Sequence, residues 1–283
     1  MSKIFLIDKR EGWTSHDVVG KSKRLLHTKK VGHCGTLDPF ATGLLVVFSN
    51  QATKLARFIE AEDKTYVATL KLGSRTASGD TEGEVIETKE VPSLNNDYIQ
   101  EVLTSFVGKQ SQLPPMYSAL KVDGRRLYEY ARENIEVERK AREIEIFGMK
   151  LLSFNDNILE FEVKCSKGTY VRTLGEDVAK KLGTVGYLIG LRRTRIGNYD
   201  VKDAIDVEQV CPELGVDMYH ALSFMERCFI KDEEYMNIRN GKDIYFKSES
   251  EYIVVCDTHE HALAIYEKVG LNKYHCCRGL WSE

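Results

Sequence analysis

Asp38 stands between a leucine and a proline in VGHCGTLDPFATGLL, residues 31–45, a stretch that also holds a His, two Thr and three Gly. Pro39 biases Asp38 toward extended backbone and removes a donor from the following position. Gly32, Gly35 and Gly43 admit backbone angles closed to other residues. The reading is a tightly turned loop that enters the apolar run LLVV and presents one carboxylate at a fixed angle. An Asp-Pro pair by itself only opens a turn, so a catalytic reading depends on the groups that accompany it. Tyr66 sits on the alternating run KTYVATLKL, where a tyrosine is ordinarily core or rim packing. Tyr170 and Arg172 stand two apart on a segment read as extended, so both point to one side; an isolated YVR would be a strand edge with a solvated Arg. A guanidinium beside a carboxylate keeps it ionised, which a nucleophilic aspartate needs. Taken alone, His33 is a hydrogen-bonded structural histidine and Leu191 a core leucine.

Periodicity and turn residues supply the elements that must position these groups. Strands are expected over 3–8, 44–48, 64–72, 84–88, 143–153, 158–165, 187–191 and 196–201. Helices are expected over 15–27 (with Ser15 as its cap), 52–59, 97–106, 125–133 and 173–182. Residues 73–83 read as a polar loop and 113–117 as irregular, because two prolines fall there. Beyond about 230 only short strands and turns are legible. The organisation is a mixed α+β domain over 1–228 followed by a small, mostly β module over 229–283.

Composition bounds the function. The 283 residues are 42% hydrophobic and 29% charged, as in an ordinary globular protein, and no apolar run is long enough to span a bilayer. The opening apolar segment is too short for a secretory signal and reads as a first strand. Seven cysteines without a CxxC spacing point to reduced thiols in a cytoplasm. The net charge of −3 is uneven: residues 211–283 carry −5, leaving +2 for the rest. Basic clusters at 21–30, 121–142 and 192–195 are either solvated faces or a local phosphate-binding groove. Cys256, His259, His261, His275, Cys276 and Cys277 are of zinc-ligand type but lack the paired spacing of structural zinc sites, so no metal is expected.

Taken together, the strings resemble the TruB family of tRNA pseudouridine synthases. GHCGTLDPFATGLL fits its G-H-x-G-T-L-D-P-x-A-x-G-x-L, KTY (64–66) its K-x-Y, and CSKGTYVRTL (165–174) its C-S-K-G-T-Y-[IV]-R-[ST]-L. LRRT (191–194) is similar to its L-x-R-T element, PPMYSALK (114–121) to its P-P-x-Y-S-A-x-K segment, and Asp80 and Gly83 lie in a loop like a further one near its active site. Arg10 stands where the family commonly has Pro, and Ser78 where Thr is usual. The resemblance covers about 1–200. It implies a pseudouridine synthase fold, an extended mixed or antiparallel sheet flanked by helices, with a PUA-like RNA-binding module at the C-terminus. It makes Asp38 catalytic, with Tyr66 stacking on the target base, Tyr170 and Leu191 lining its pocket, Arg172 pairing with Asp38 and contacting RNA phosphate, and His33 displacing the flipped nucleotide. Lys9, Lys64 and Asp80 would support them. The implied activity is isomerisation of uridine 55 in the T loop of tRNA by base flipping. It needs no cofactor, metal, membrane or protein partner, and the chain would act as a cytoplasmic monomer. An RNA glycosidase would ordinarily need a second carboxylate beside the first. An RNA-folding factor on the same scaffold is the other alternative.

Overall fold

The computed structural model describes residues 2–133 and 135–281. Its larger sheet, nine strands among the described residues, contains β1 (Ile4–Lys9), β2 (Val31–Cys34), β3 (Thr42–Ser49), β4 (Lys64–Leu72), β5 (Gly108–Gln112), β6 (Arg142–Asn155), β7 (Ile158–Cys165), β8 (Gly186–Ile196) and β9 (Tyr199–Asp200). The order is β1-β3-β8-β4-β7-β6-β5, with β2 on β3 and β9 on β8. Every pairing is antiparallel except β8 with β3, a short parallel contact through Arg192↔Thr42 and Arg193↔Gly43.

Side-chain alternation explains how the sheet is covered on both faces. Leu45 and Val47 of β3 join Ala68 and Leu70 of β4 in one core. That core is closed by helices α1 (Ser15–Leu25), α2 (Asn96–Thr104) and α3 (Val171–Lys181) through Val18, Ile99, Leu103, Leu174 and Val178. Leu44, Val46 and Phe48 of β3 face the other way. They pack with Val254, Cys256 and Ile265 of a second, five-stranded sheet. The second sheet consists of β10 (Glu226–Phe229), β11 (Ile244–Tyr245), β12 (Tyr252–Cys256), β13 (Ala262–Gly270) and β14 (Lys273–Gly279), in the order β10-β12-β13-β14-β11. Its first strand crosses the 228/229 division read from the sequence.

Three local expectations are corrected. The helix after GW begins on a capping box of Thr14 and Asp17, not on Ser15, whose hydroxyl is buried against Leu37. In place of separate strands over 187–191 and 196–201 there is one long strand, β8, that runs through the RRTR residues to Ile196, followed by the two-residue β9. Tyr170 and Arg172 do not share an extended face: Tyr170 is the extended N-cap of α3 and Arg172 lies in its first turn.

Candidate active site

β2 delivers the chain to Gly35 and β3 takes it up at Thr42, so Asp38 rides on a short link whose backbone is pinned from several sides. The Ser15 hydroxyl accepts from Leu37 N at 2.9 Å and donates to Leu37 O at 3.2 Å. Pro39 O accepts from Gly12 N at 2.9 Å and from the Lys9 ammonium at 3.3 Å. Lys9 Nζ also donates to Trp13 O at 2.5 Å and Arg10 O at 3.0 Å. Gly43 has φ +99°, and a Cβ there would lie 2.3 Å from the carbonyl oxygen of Arg193. Glycine at 43 is therefore what lets β8 run beside the loop.

The Asp38 carboxylate meets Arg172 in a bidentate contact, Oδ2 to Nε at 3.0 Å and Oδ1 to Nη2 at 3.3 Å. Arg172, only 4% exposed, also contacts Asp80 Oδ2 through Nη1 at 3.2 Å. It donates to Ser78 O at 2.9 Å and Tyr117 O at 2.6 Å. Asp80 is buried and accepts from the Ser78 hydroxyl and from Glu82 N. Two carboxylates thus share one guanidinium. Burial pushes the Asp38 carboxyl above its ordinary range; Arg172 opposes that, Asp80 adds to it and Lys9 opposes it. The side chain of Asp38 remains about a third exposed, at 35%, and opens onto a cavity.

That cavity holds about 570 Å³ and is walled by Tyr66, Tyr170 and Leu191 above Asp38 and Arg172. Burial raises both phenols, and Arg193 partly offsets this for Tyr66, so each is protonated at neutral pH. Lys64 reaches the cavity wall with its ammonium donating to Glu60 O and, at 2.6 Å, to Glu62 O. Burial lowers its pKa. Arg57, Arg142 and Lys167 bring positive charge to the same opening. Among the described residues, no group of three His, Cys, Asp or Glu is placed to hold a metal ion.

Six of the nine sequence candidates, Asp38, Tyr66, Tyr170, Arg172, Leu191 and Lys64, therefore meet at one cavity. The other three do not line it. Asp80 stands behind Arg172, Lys9 lies beneath the loop, and His33 sits on β2 with its Nδ1 buried and unpartnered. Burial, with Arg193 and His16, lowers the His33 pKa and favours the neutral ring. Arg172 is so fully engaged that its expected phosphate contact has no free face. Sequence reasoning missed Arg193. It matched LRRT to the family element without giving Arg193 a role and left RRTR as a solvated face or a phosphate-binding groove, whereas Arg193 is 1% exposed and Arg192 pairs with Asp8 at 2.7 Å. The signal was the strand alternation of GYLIGLRRTRI, which puts Arg193 on the face opposite Arg192.

Comparison with known proteins places this architecture. The family described as TruB family pseudouridylate synthase (N terminal domain) matches residues 23–171. The tRNA pseudouridine synthase B of Hydrogenovibrio crunogenus is 49% identical over 216 residues, covering 76% of this chain and 71% of that protein. The tRNA pseudouridine synthase B of Mesoplasma florum is 36% identical over 280 residues, 98% of each. Among solved structures, an H/ACA RNP bound to a substrate RNA containing 2'-deoxyuridine superposes with a TM-score of 0.76 at 19% identity, covering 99% of this chain and 85% of that one. At that identity the likeness is one of fold, and the fold is the α+β pseudouridine synthase architecture with a C-terminal β module.

Proposed function

This chain belongs to the TruB family of pseudouridylate synthases, and from that membership we propose that it is a tRNA pseudouridine synthase acting on uridine 55 of the T loop. The observation that carries the chemical reading is the bidentate Asp38–Arg172 contact at the base of a cavity walled by two tyrosines and a leucine. A recessed carboxylate of this kind reaches a nucleotide only after the base has left its stack. Tyr66 then supplies an aromatic face for the extruded uracil, Tyr170 and Leu191 close its other sides, and His33 fills the vacated place. Arg57, Arg142 and Lys167 are the groups we assign to phosphate contact.

Asp38 either attacks C1′ of the ribose or removes the C2′ proton to form a glycal. On both routes the N1–C1′ bond breaks, the uracil turns, and C5 bonds to C1′. The C5 proton leaves to solvent, N1 acquires one, and on the glycal route C2′ regains its proton from Asp38, so the base is isomerised with no net gain or loss of atoms. The reaction is an isomerisation, and it draws on no group beyond the chain and its RNA. We assign residues 1–228 to catalysis and 229–283 to a PUA-like RNA-binding module; the separate apolar cluster of the second sheet supports that division. We also propose that the chain acts as a monomer without a protein partner. Seven unpaired thiols support a cytoplasmic location.

The test is tritium release from an unmodified T-arm hairpin labelled at uridine C5. Wild type is expected to release tritium, while Asp38→Asn, or a hairpin with cytidine at the target position, is expected to release none. Tight binding without release would leave an RNA-binding factor in place of the enzyme. Free uracil among the products would point to a glycosidase.

A further inference from the structure

Arg193 is buried between the catalytic loop and β4, yet it has no anion. Arg172 has Asp38 and Asp80, and Arg192 has Asp8; around Arg193 no carboxylate stands within ion-pair reach among the described residues. Its partners are neutral. Nε donates to Leu44 O at 2.7 Å and Nη2 to Gly35 O at 2.8 Å. Arg193 also stands opposite Tyr66 in the β8–β4 ladder, and its charge opposes the rise of the Tyr66 pKa. Gly35 O and Leu44 O are the carbonyls that bracket the loop carrying Asp38. The same residue's backbone is paired with Gly43 in the parallel β8–β3 contact. A Cβ at position 35 would come within 3.2 Å of Nη1, so the guanidinium occupies the space that the loop's first glycine leaves open.

A guanidinium presents its donors in a rigid planar fork, which suits several acceptors held in one plane. A buried cation without an anion is unfavourable unless its donors are fully used. Here the bonds it makes go to the two ends of one loop. We propose that Arg193 is a positioning residue for the isomerisation. It clamps the Asp38 loop at both ends and lies beside Tyr66 on the neighbouring strand, acting through the loop and not through contact with RNA. The proposal rests on Asp38 and Tyr66 having the roles assigned above.

Arg193→Lys keeps the charge but has one nitrogen and reaches one end of the loop; Arg193→Met reaches neither. Three quantities decide the matter: the single-turnover rate at saturating T-arm hairpin, the Kd for the hairpin, and hydrogen exchange of amides in residues 35–44. The saturated rate is expected to fall about tenfold in the Lys variant and about a hundredfold in the Met variant, the scale of a misplaced reacting group. Kd is expected to stay within about threefold, because the residue is enclosed. Loop amides are expected to lose protection in the same order, with those of the second sheet unchanged. Unchanged loop protection in folded Arg193→Lys would overturn the clamp. So would a weakened Kd with an unchanged saturated rate, which would make Arg193 an RNA contact. If the Met variant fails to fold, the Lys variant carries the test. Absence of tritium release by wild type would instead sink the isomerase reading, while exchange still judges the clamp.

Discussion

Two groups of buried cations flank the catalytic loop, and they are satisfied in different ways. On the cavity side, Arg172 meets two carboxylates, Asp38 and Asp80, besides two carbonyls. Along the loop's backbone, Lys9 and Arg193 meet main-chain carbonyls instead, as Lys64 does at the cavity wall. The difference separates two tasks. A cation among carboxylates sets how strongly those carboxylates hold protons, so it bears on chemistry. A cation among carbonyls cannot change their charge; it fixes the path of the chain that supplies them. Asp38 belongs to both regions, with its carboxylate on Arg172 and the backbone around it tied down from below by Lys9 and Arg193.

The comparison breaks most sharply at Arg172. Arg172→Met leaves Asp80 buried without its cation, and removing one partner of a buried pair destabilises by about 3–5 kcal/mol. The expected outcome in urea denaturation is a loss of that size. Any protein that stays folded should lose the saturated rate by at least about 10²-fold, since the carboxylate is no longer held or charge-matched. A folded variant with near-normal rate would show that the pair is only structural. Asp80→Asn is the milder cut. Replacing a charged acceptor on Arg172 by a neutral one removes about 1.5–3 kcal/mol. Asp80 is also a like charge that pushes the Asp38 carboxyl up, so its removal lowers that pKa. The acidic limb of the saturated rate against pH is then expected to move to lower pH; movement the other way would mean that Asp80 holds Arg172 in place more than it repels Asp38.

How much of this was legible beforehand follows the same division. The cavity side was readable because its residues lie in compact strings with irregular backbone, where Gly, Pro and charged residues stand at fixed offsets. Asp38, Tyr170 and Arg172 stand in such strings, while Lys64, Tyr66 and Leu191 lie on regular strands and were singled out only by their resemblance to the family's motifs. The underside was not, because its acceptors are main-chain carbonyls, which no side-chain pattern marks. Lys9 was named only as a supporting residue, and Arg193 fell within a matched string, LRRT, without a role of its own. Among the elements, β4 and β7 were plain from alternation, whereas β5 was missed because GKQSQ is a polar edge strand with little apolar signal. β2 was absorbed into the loop because Gly32 and His33 break the apolar pattern of a strand only four residues long.

The underside yields to a quieter test, through Lys9. Burial lowers its pKa from 10.5 to about 8, with Asp38 opposing. The direction decides the sign. Below pH 8 both the folded and unfolded chains carry the proton, and the unfavourable burial of the charge is fully felt. Between about 8 and 10.5 the unfolded chain holds more proton than the folded one, so stability contributed at this site rises with pH, by at most about 1.4 kcal/mol per unit. Lys9→Met removes the titrating group and takes a donor from three carbonyls, of which Pro39 O keeps Gly12 N. The variant is therefore expected to be less stable than wild type at pH 7.5, and its stability relative to wild type should decline further as the pH is raised from 8 to 10. Urea denaturation of both proteins across that range reads the difference directly. A gap that stays constant with pH would mean that the three carbonyls hold the ammonium charged despite its burial, and Lys9 would then resemble Arg193 more closely than its pKa suggests.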